Sequence, residues 1–164
     1  MTERTLFDEL GGEPRLRAII DRFVDRNFDD DMIGFFFRGV SRERLKQKEY
    51  EFAAEHLGAP ISYTGRPIGE AHGKHPIMGG QFMRRLQILT ETLIEFDVPP
   101  EVRNHWLEHT KNLRPLVTRD TESQCDSESA VAKVEEHRAE LEQLKERKQA
   151  ERQPTARAKQ EKGA

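Results

Sequence analysis

The chain has 164 residues and a mass of 19.1 kDa, enough for one domain with a margin beyond it. With 27 basic and 30 acidic residues its formal charge is -3, without the basic excess of a general nucleic-acid binder. No run approaches the length of a membrane span, the first ten residues hold acids where a secretory signal has its apolar run, and the single cysteine, Cys125, can neither close an intrachain disulfide nor build a structural zinc site, so the expectation is a cytoplasmic protein.

Helical periodicity recurs up to about Val117 with no clear alternation of period two, which predicts an all-α domain over residues 1–117. A short helix over about Thr5 to Leu10 meets a sharp corner at Gly11-Gly12. Leu16, Ile19, Ile20, Phe23 and Asn27–Phe28 then form an apolar stripe at helical spacing, ended by Asp29-Asp30-Asp31. Met32 to Phe37 is too short for a full helix and too apolar to be solvated, so it reads as a tight helical turn. Ser41 is the N-cap of a helix over Arg44 to Leu57, stopped by Gly58. Residues 58–68, with two prolines and two glycines, form a loop. A short helix follows over about Ile68 to Lys74. A long amphipathic helix from about Gly80 to Phe96 turns Phe82, Leu86, Leu89, Leu93 and Ile94 inward, and Asp97-Val98-Pro99-Pro100 breaks it. The last helix runs from Pro100 to about Val117 on Val102, Trp106, Leu107 and Leu113. The proline-rich middle packs too little by itself, which points to a bound group that completes the core.

All twelve aromatic residues lie at or before Trp106. From Thr118 to Ala164 the chain is a charged tail with 11 acidic and 10 basic residues, which cannot offset its ordering entropy on its own. Val134, His137, Leu141 and Leu144 predict a solvated helix over about 128–150, with a disordered end after it.

Six histidines are candidate ligands. His137 lies in the solvated tail, and His56 near a helix C-terminus complements the helix dipole. His105 and His109 share a helical face and would suit a metal, but no obvious third ligand accompanies them, so a surface pair is the expectation. His72 and His75 flank the short middle helix.

The segments Leu6-Phe7-Asp8-Glu9-Leu10-Gly11-Gly12, Phe23, Phe36-Phe37-Arg38-Gly39, Arg44-Leu45-Lys46, Glu51-Phe52, Leu57-Gly58, Tyr63-Thr64-Gly65-Arg66-Pro67, Glu70-Ala71-His72, Phe82 and Val98-Pro99 stand in one order. In that order and spacing the chain resembles the group I truncated haemoglobins from about Thr5 to Val117. The resemblance implies a two-over-two helical sandwich around haem b. His72 would be the proximal iron ligand, and His75 does not match the family position. Phe36 and Phe37 would pack on the porphyrin, with Phe52, Ile68, Ile77, Phe82 and Leu86 as further wall, Leu45 facing the bound ligand, and Arg44 and Lys46 as a basic rim for the propionates.

The departure from the family is on the distal side. Where many members carry a tyrosine on the second helix, this chain has Val24, and Leu45 also lacks a donor. Glu49 stands where glutamine is common, followed by Tyr50. A buried Glu49 would favour its neutral acid and donate to a ligand, or would pair with Arg84 or Arg85; a shift of one residue would put Tyr50 in the pocket instead. Loss of the tyrosine implies oxygen binding that is weaker and faster to release, sensitive to pH through Glu49, and weak nitric oxide dioxygenation.

The function implied is reversible binding of oxygen, NO or CO, without catalytic residues of its own and with a reductase as a conceivable partner. The alternatives are a haem-free globin-like module that recruits a partner through its tail, and a non-haem metal protein built on His105 and His109. Truncation at Val117 is expected to leave haem binding intact, since no aromatic residue is lost; the absorption spectrum of the truncated protein checks this.

Overall fold

The computed structural model describes residues 4–120. The predicted tail helix and Cys125 lie outside them. Among the described residues the order is α1 (Leu6–Leu10), α2 (Gly12–Phe28), a 3-10 turn (Gly34–Phe37), α3 (Arg42–His56), α4 (Ile68–His72), α5 (Gly79–Glu95), α6 (Pro100–Asn112) and α7 (Arg114–Val117), with no strand.

Each boundary has a local cause. Thr5 and Asp8 close a capping box on α1: Thr5 Oγ1 accepts from Asp8 N at 3.2 Å, and Asp8 Oδ2 accepts from Thr5 N at 3.1 Å. Gly11 ends that helix at φ +113°, a conformation that side chains resist, and α2 starts at the next residue. After α2, Asp30 accepts from the backbone N–H groups of Met32 and Ile33 and takes Arg84 of α5 on its other oxygen at 2.7 Å. One carboxylate therefore folds the turn and ties it to α5. Ser41 caps α3 through its Oγ, which accepts from Arg44 N at 3.3 Å. The final helix is interrupted at Leu113, because Pro115 supplies no N–H and its ring crowds the carbonyl four residues back.

The two long helices at each end of the domain form two layers. Helix α2 lies against α3, α5 lies against α6, and α2 crosses onto α5. The core is read off the stripes. Leu16, Ile19, Ile20, Phe23, Val24 and Asn27 are buried on α2, and Phe82, Leu86, Ile88, Leu89 and Leu93 on α5. Asn27 satisfies its amide by donating to Phe23 O at 2.8 Å. Ile94, expected inward, is 54 % exposed. It sits one residue, about 100° of rotation, past fully buried Leu93, and Ile88, which the predicted stripe left out, is buried as well.

Past α7 the chain still belongs to the fold. Arg119 N donates to Ile77 O at 3.0 Å, Arg119 Nη2 donates to Gly73 O at 2.8 Å, and Asp120 accepts from Gly79 N at 2.8 Å. A cut at Val117 removes these ties to the segment after α4, so a cut after Asp120 is the cleaner removal of the tail.

The adjacent pair on α5 gives a direct check of facing. Leu93→Ala should cost about 3 kcal/mol by leaving a cavity, while Ile94→Ala should cost less than about 0.5 kcal/mol, both read from urea unfolding.

Candidate functional site

Between α3, α4, α5 and α6 lies a cavity of about 300 Å³. Phe23, Ile33, Phe36, Phe37, Val40, Leu45, Phe52, Ala53, Ile68, Ile77, Phe82, Leu89 and Trp106 give it mainly apolar walls. Its titratable lining groups are Lys48, Glu49, His56, Tyr63, Arg66, His72, His75 and Arg85.

Helix α3 supplies one wall by simple rotation. Leu45, Lys48, Glu49, Phe52, Ala53 and His56 recur at steps of three and four and face the cavity. Residues one step further on turn away. Lys46 sits with Asp25 at 3.1 Å, Asp21 at 3.6 Å and Glu43 at 3.9 Å, on the α2 side. Tyr50 is buried against α2, with the Arg17 guanidinium 3.8 Å from its ring centroid. Arg44 is exposed. Arg44 and Lys46, expected as a rim for the propionates, therefore do not line the cavity, and Tyr50 does not line it either. On α2, Val24 is buried in the core and Phe23 lines the cavity instead. Phe36, Phe37, Leu45, Phe52, Ile68, Ile77 and Phe82 all line it, as does Leu89 in addition, while Leu86 is buried outside it.

The basic lining residues are Lys48, Arg66 and Arg85, none of which composition or spacing had singled out as a rim. Lys48 is held by Glu51 at 3.0 Å and touches Thr64 Oγ1. Glu51 also accepts from Thr64 N at 3.1 Å and Thr64 Oγ1 at 2.7 Å, and these hydrogen bonds hold its carboxyl down at about 2. Glu51 thereby pins the loop that carries Tyr63 and Arg66. Glu49 faces the cavity and pairs with Arg85 at 2.6 Å, whereas Arg84 goes to Asp30. Of the arrangements foreseen for Glu49, the structure has the pairing with Arg85.

His72, the last residue of α4, lines the cavity from the opposite side. Its Nδ1 lies 2.8 Å from Ile68 O. A carbonyl only accepts, so Nδ1 carries the proton and Nε2 keeps its lone pair. Burial pushes the imidazole below its ordinary range, so it is neutral at pH 7. This is the protonation state a metal ligand needs.

Three other histidines, His56, His105 and His109, assemble elsewhere. His56, expected to complement the dipole of its helix end, stacks 4.2 Å ring to ring on His109 and 5.9 Å from His105. Its Nδ1 donates to Phe52 O at 3.1 Å and its Nε2 is buried without a partner. Burial and the neighbouring His109 push its pKa down to about 4. Among the described residues no group of three or more His, Cys, Asp or Glu is placed to hold a metal ion.

A family model described as bacterial-like globin matches residues 5–119. The chain belongs to that family. Its relatives include the group 1 truncated hemoglobin GlbN of Mycolicibacterium paratuberculosis, 32 % identical over 69 % of this chain and 83 % of the relative. Among solved structures, the truncated hemoglobin of Tetrahymena pyriformis in its Fe(III) form matches with a TM-score of 0.65 and 24 % identity, covering 70 % of this chain and 97 % of that one. The 2/2 hemoglobin of Synechococcus sp. PCC 7002, in the cyanomet state with covalently attached heme, matches with a TM-score of 0.62 and 20 % identity over 65 % and 90 %. The fold is that of the two-over-two globins, and truncated haemoglobins bind haem and gases.

His56 gives this globin a pH signature. A histidine whose folded pKa is depressed leaves the unfolded chain holding more protons between the two values, so stability falls as pH falls from 6.5 towards about 4. At pH 5 the haem-free protein should have lost about 2 kcal/mol through His56 alone relative to neutral pH, and His56→Phe should remove that part and leave the same-signed contributions of His72 and His109. Glu51 titrates lower, between its ordinary 4.5 and about 2, so urea melts between pH 7 and 5 isolate the histidine contribution.

Proposed function

We propose that this truncated haemoglobin binds haem b through His72 and uses it to bind a diatomic gas reversibly, without chemistry on a substrate. The observation that carries the reading is His72: a neutral imidazole with Nδ1 engaged by its own helix and Nε2 left to ligate, set in the wall of an apolar cavity. The cavity suits a flat apolar macrocycle with an anionic edge. Aromatic and aliphatic side chains form its walls, and Arg66 and Lys48 lie beside the loop as cations for propionates. The bound haem supplies an iron that takes the gas.

The chain's own residues set how that gas is held. His72, its ring fixed by the Ile68 carbonyl, would hold the haem iron through Nε2. Phe23, Phe37 and Leu45 keep water from the opposite side, and none of the three donates a hydrogen bond. With Tyr50 turned to α2 and valine at position 24, no phenol reaches the ligand from these helices, which supports fast release of oxygen and a poor nitric oxide dioxygenase. A reductase that restores the ferrous state and a cytoplasmic setting belong to the same reading. The Fe(III) form of the Tetrahymena relative and the heme of the Synechococcus one support the cofactor.

The test is an absorption spectrum after haem addition, oxidised, reduced and reduced with CO. One haem per chain with a sharp Soret band that shifts on CO is expected, and His72→Ala should lose or alter that band. Stoichiometric, unaltered binding by His72→Ala would refute the ligand assignment. No Soret band in the wild-type chain would favour the haem-free module acting through the tail.

A further inference from the structure

Three segments meet on the side of the cavity that carries His72. The turn after α2 reaches the segment around α4 where the Phe36 ring stands edge-on to His75, centroids 6.2 Å apart. The chain after α7 reaches the same segment where Arg119 donates to Ile77 O and Gly73 O. Phe36, Val40, His75 and Ile77 line the cavity, so this junction is its edge.

The junction leaves apolar side chains in water. Phe35 and Met78 are each 46 % exposed and Val40 43 %, although Phe35 lies ring to ring with Phe36 at 4.2 Å. Aromatic residues and methionine are types enriched at the centre of protein–protein contacts, with a polar rim around them.

The charge around these side chains is one-sided. Arg38, Arg66, Lys74 and Arg119 are exposed, and among the described residues none of the four stands in an ion pair. Glu70 is the one exposed carboxylate of the three segments, since Asp120 is turned inward onto Gly79 N. On the α2 side, by contrast, Arg22, Arg26, Arg42 and Lys46 are each held by carboxylates. A chain of net charge -3 thus presents a basic face with an apolar centre at the edge of its cavity.

We propose that this face docks an acidic protein that donates electrons to the haem. Phe35 and Met78 form the centre of the contact, and Arg38 and Lys74 are the cations that draw the partner in. This rests on the haem reading above. One electron leaves the partner's cofactor, which is oxidised, and the ferric iron becomes ferrous; no bond of the chain forms or breaks. Complementary charge at the rim speeds the encounter, and salt screens it.

The probe is flavodoxin, an acidic protein whose reduced flavin gives up one electron. Its oxidised form is titrated into the ferric, haem-loaded full chain by calorimetry, and its reduced form is mixed with that chain under CO in stopped flow. The second-order rate should fall at least ~10-fold between low salt and about 0.3 M. Arg38→Glu/Lys74→Glu should bind flavodoxin, and take its electron, at least ~10-fold more weakly at low salt. Arg22→Glu/Lys111→Glu, which makes the same change in charge on α2 and α6, should stay within about 3-fold of wild type. Phe35→Ser should weaken binding at both salt concentrations. Circular dichroism, one haem per chain and an unchanged rate with reduced riboflavin, a small donor that needs no docking, show each variant folded and loaded. Equal binding by wild type and Arg38→Glu/Lys74→Glu, or an equal loss in Arg22→Glu/Lys111→Glu, overturns the proposal and leaves the haem reading standing. A wild-type dimer that Phe35→Ser disperses, or binding to anionic lipid vesicles and not to flavodoxin, gives the face to another occupant and overturns it too. A wild-type chain that takes up no haem overturns both readings, and the spectrum before mixing tells the failures apart.

Discussion

The structure depends on a stretch that does not pack. From Gly58 to Met78 the chain contains no fully buried side chain, although helices rich in core residues bound it on both sides. Prolines at 60, 67 and 76 keep it from joining either neighbour as regular helix, and only the five residues of α4 become helical. What locates it is polar: Glu51 on Thr64, Tyr63 on Arg66 O, Arg119 on Gly73 and Ile77, Asp120 on Gly79. A segment held largely by hydrogen bonds, with only Ala59 and Ile61 packed against the core and no side chain fully buried, leaves space behind it. The cavity is that space, and His72 is the side chain the segment carries into its wall.

This division of labour explains why the two ends of the domain fold around a void without collapsing. The α2 and α5 stripes bury Leu16, Ile19, Ile20, Phe23, Leu86, Leu89 and Leu93 on one another, a core complete without the middle segment. Asp30 then fastens the turn after α2 to α5 through Arg84, which sets where Phe36 and Phe37 stand. Phe37 stacks on Phe28 at 4.9 Å and still lines the cavity. The walls are therefore rigid parts of the core, while the side bearing His72 is the less densely packed one.

Much of this was legible in the sequence because it depends on local rules. The apolar stripes, the Ser41 cap, the Gly11 corner and the proline loop follow from spacing and backbone preference, and they placed the described helices near their observed bounds, with α6 and α7 expected as one. The site was legible only as far as a residue's face could be derived. Leu45, Glu49 and Phe52 share one face of α3 and all line the cavity; Lys46 and Tyr50 lie a single residue from two of them and face α2. Arg44 and Lys46 flank Leu45 in sequence without sharing its place in the wall. The Glu49–Arg85 pair joins residues 36 apart on two helices, so its partner across the cavity is not a local matter. Rotation about α5 separates the two arginines: Arg85 shares the face of Phe82 and Leu89 and lines the cavity, whereas Arg84, one residue back, reaches Asp30.

The limit of local reading is sharpest at two histidines that share one motif. His56 and His72 each end a helix, and each donates from Nδ1 to the carbonyl four residues back, at 3.1 and 2.8 Å. Burial keeps both neutral and both line the same cavity. Their remaining nitrogens meet different surroundings. His56 stacks on His109, beside Trp106, where a densely packed helix closes over its Nε2. His72 sits on a five-residue helix with no fully buried residue and lines the cavity from there. The same backbone-anchored imidazole thus becomes a packing element where α6 covers it and a candidate metal ligand where the segment stands off from the core.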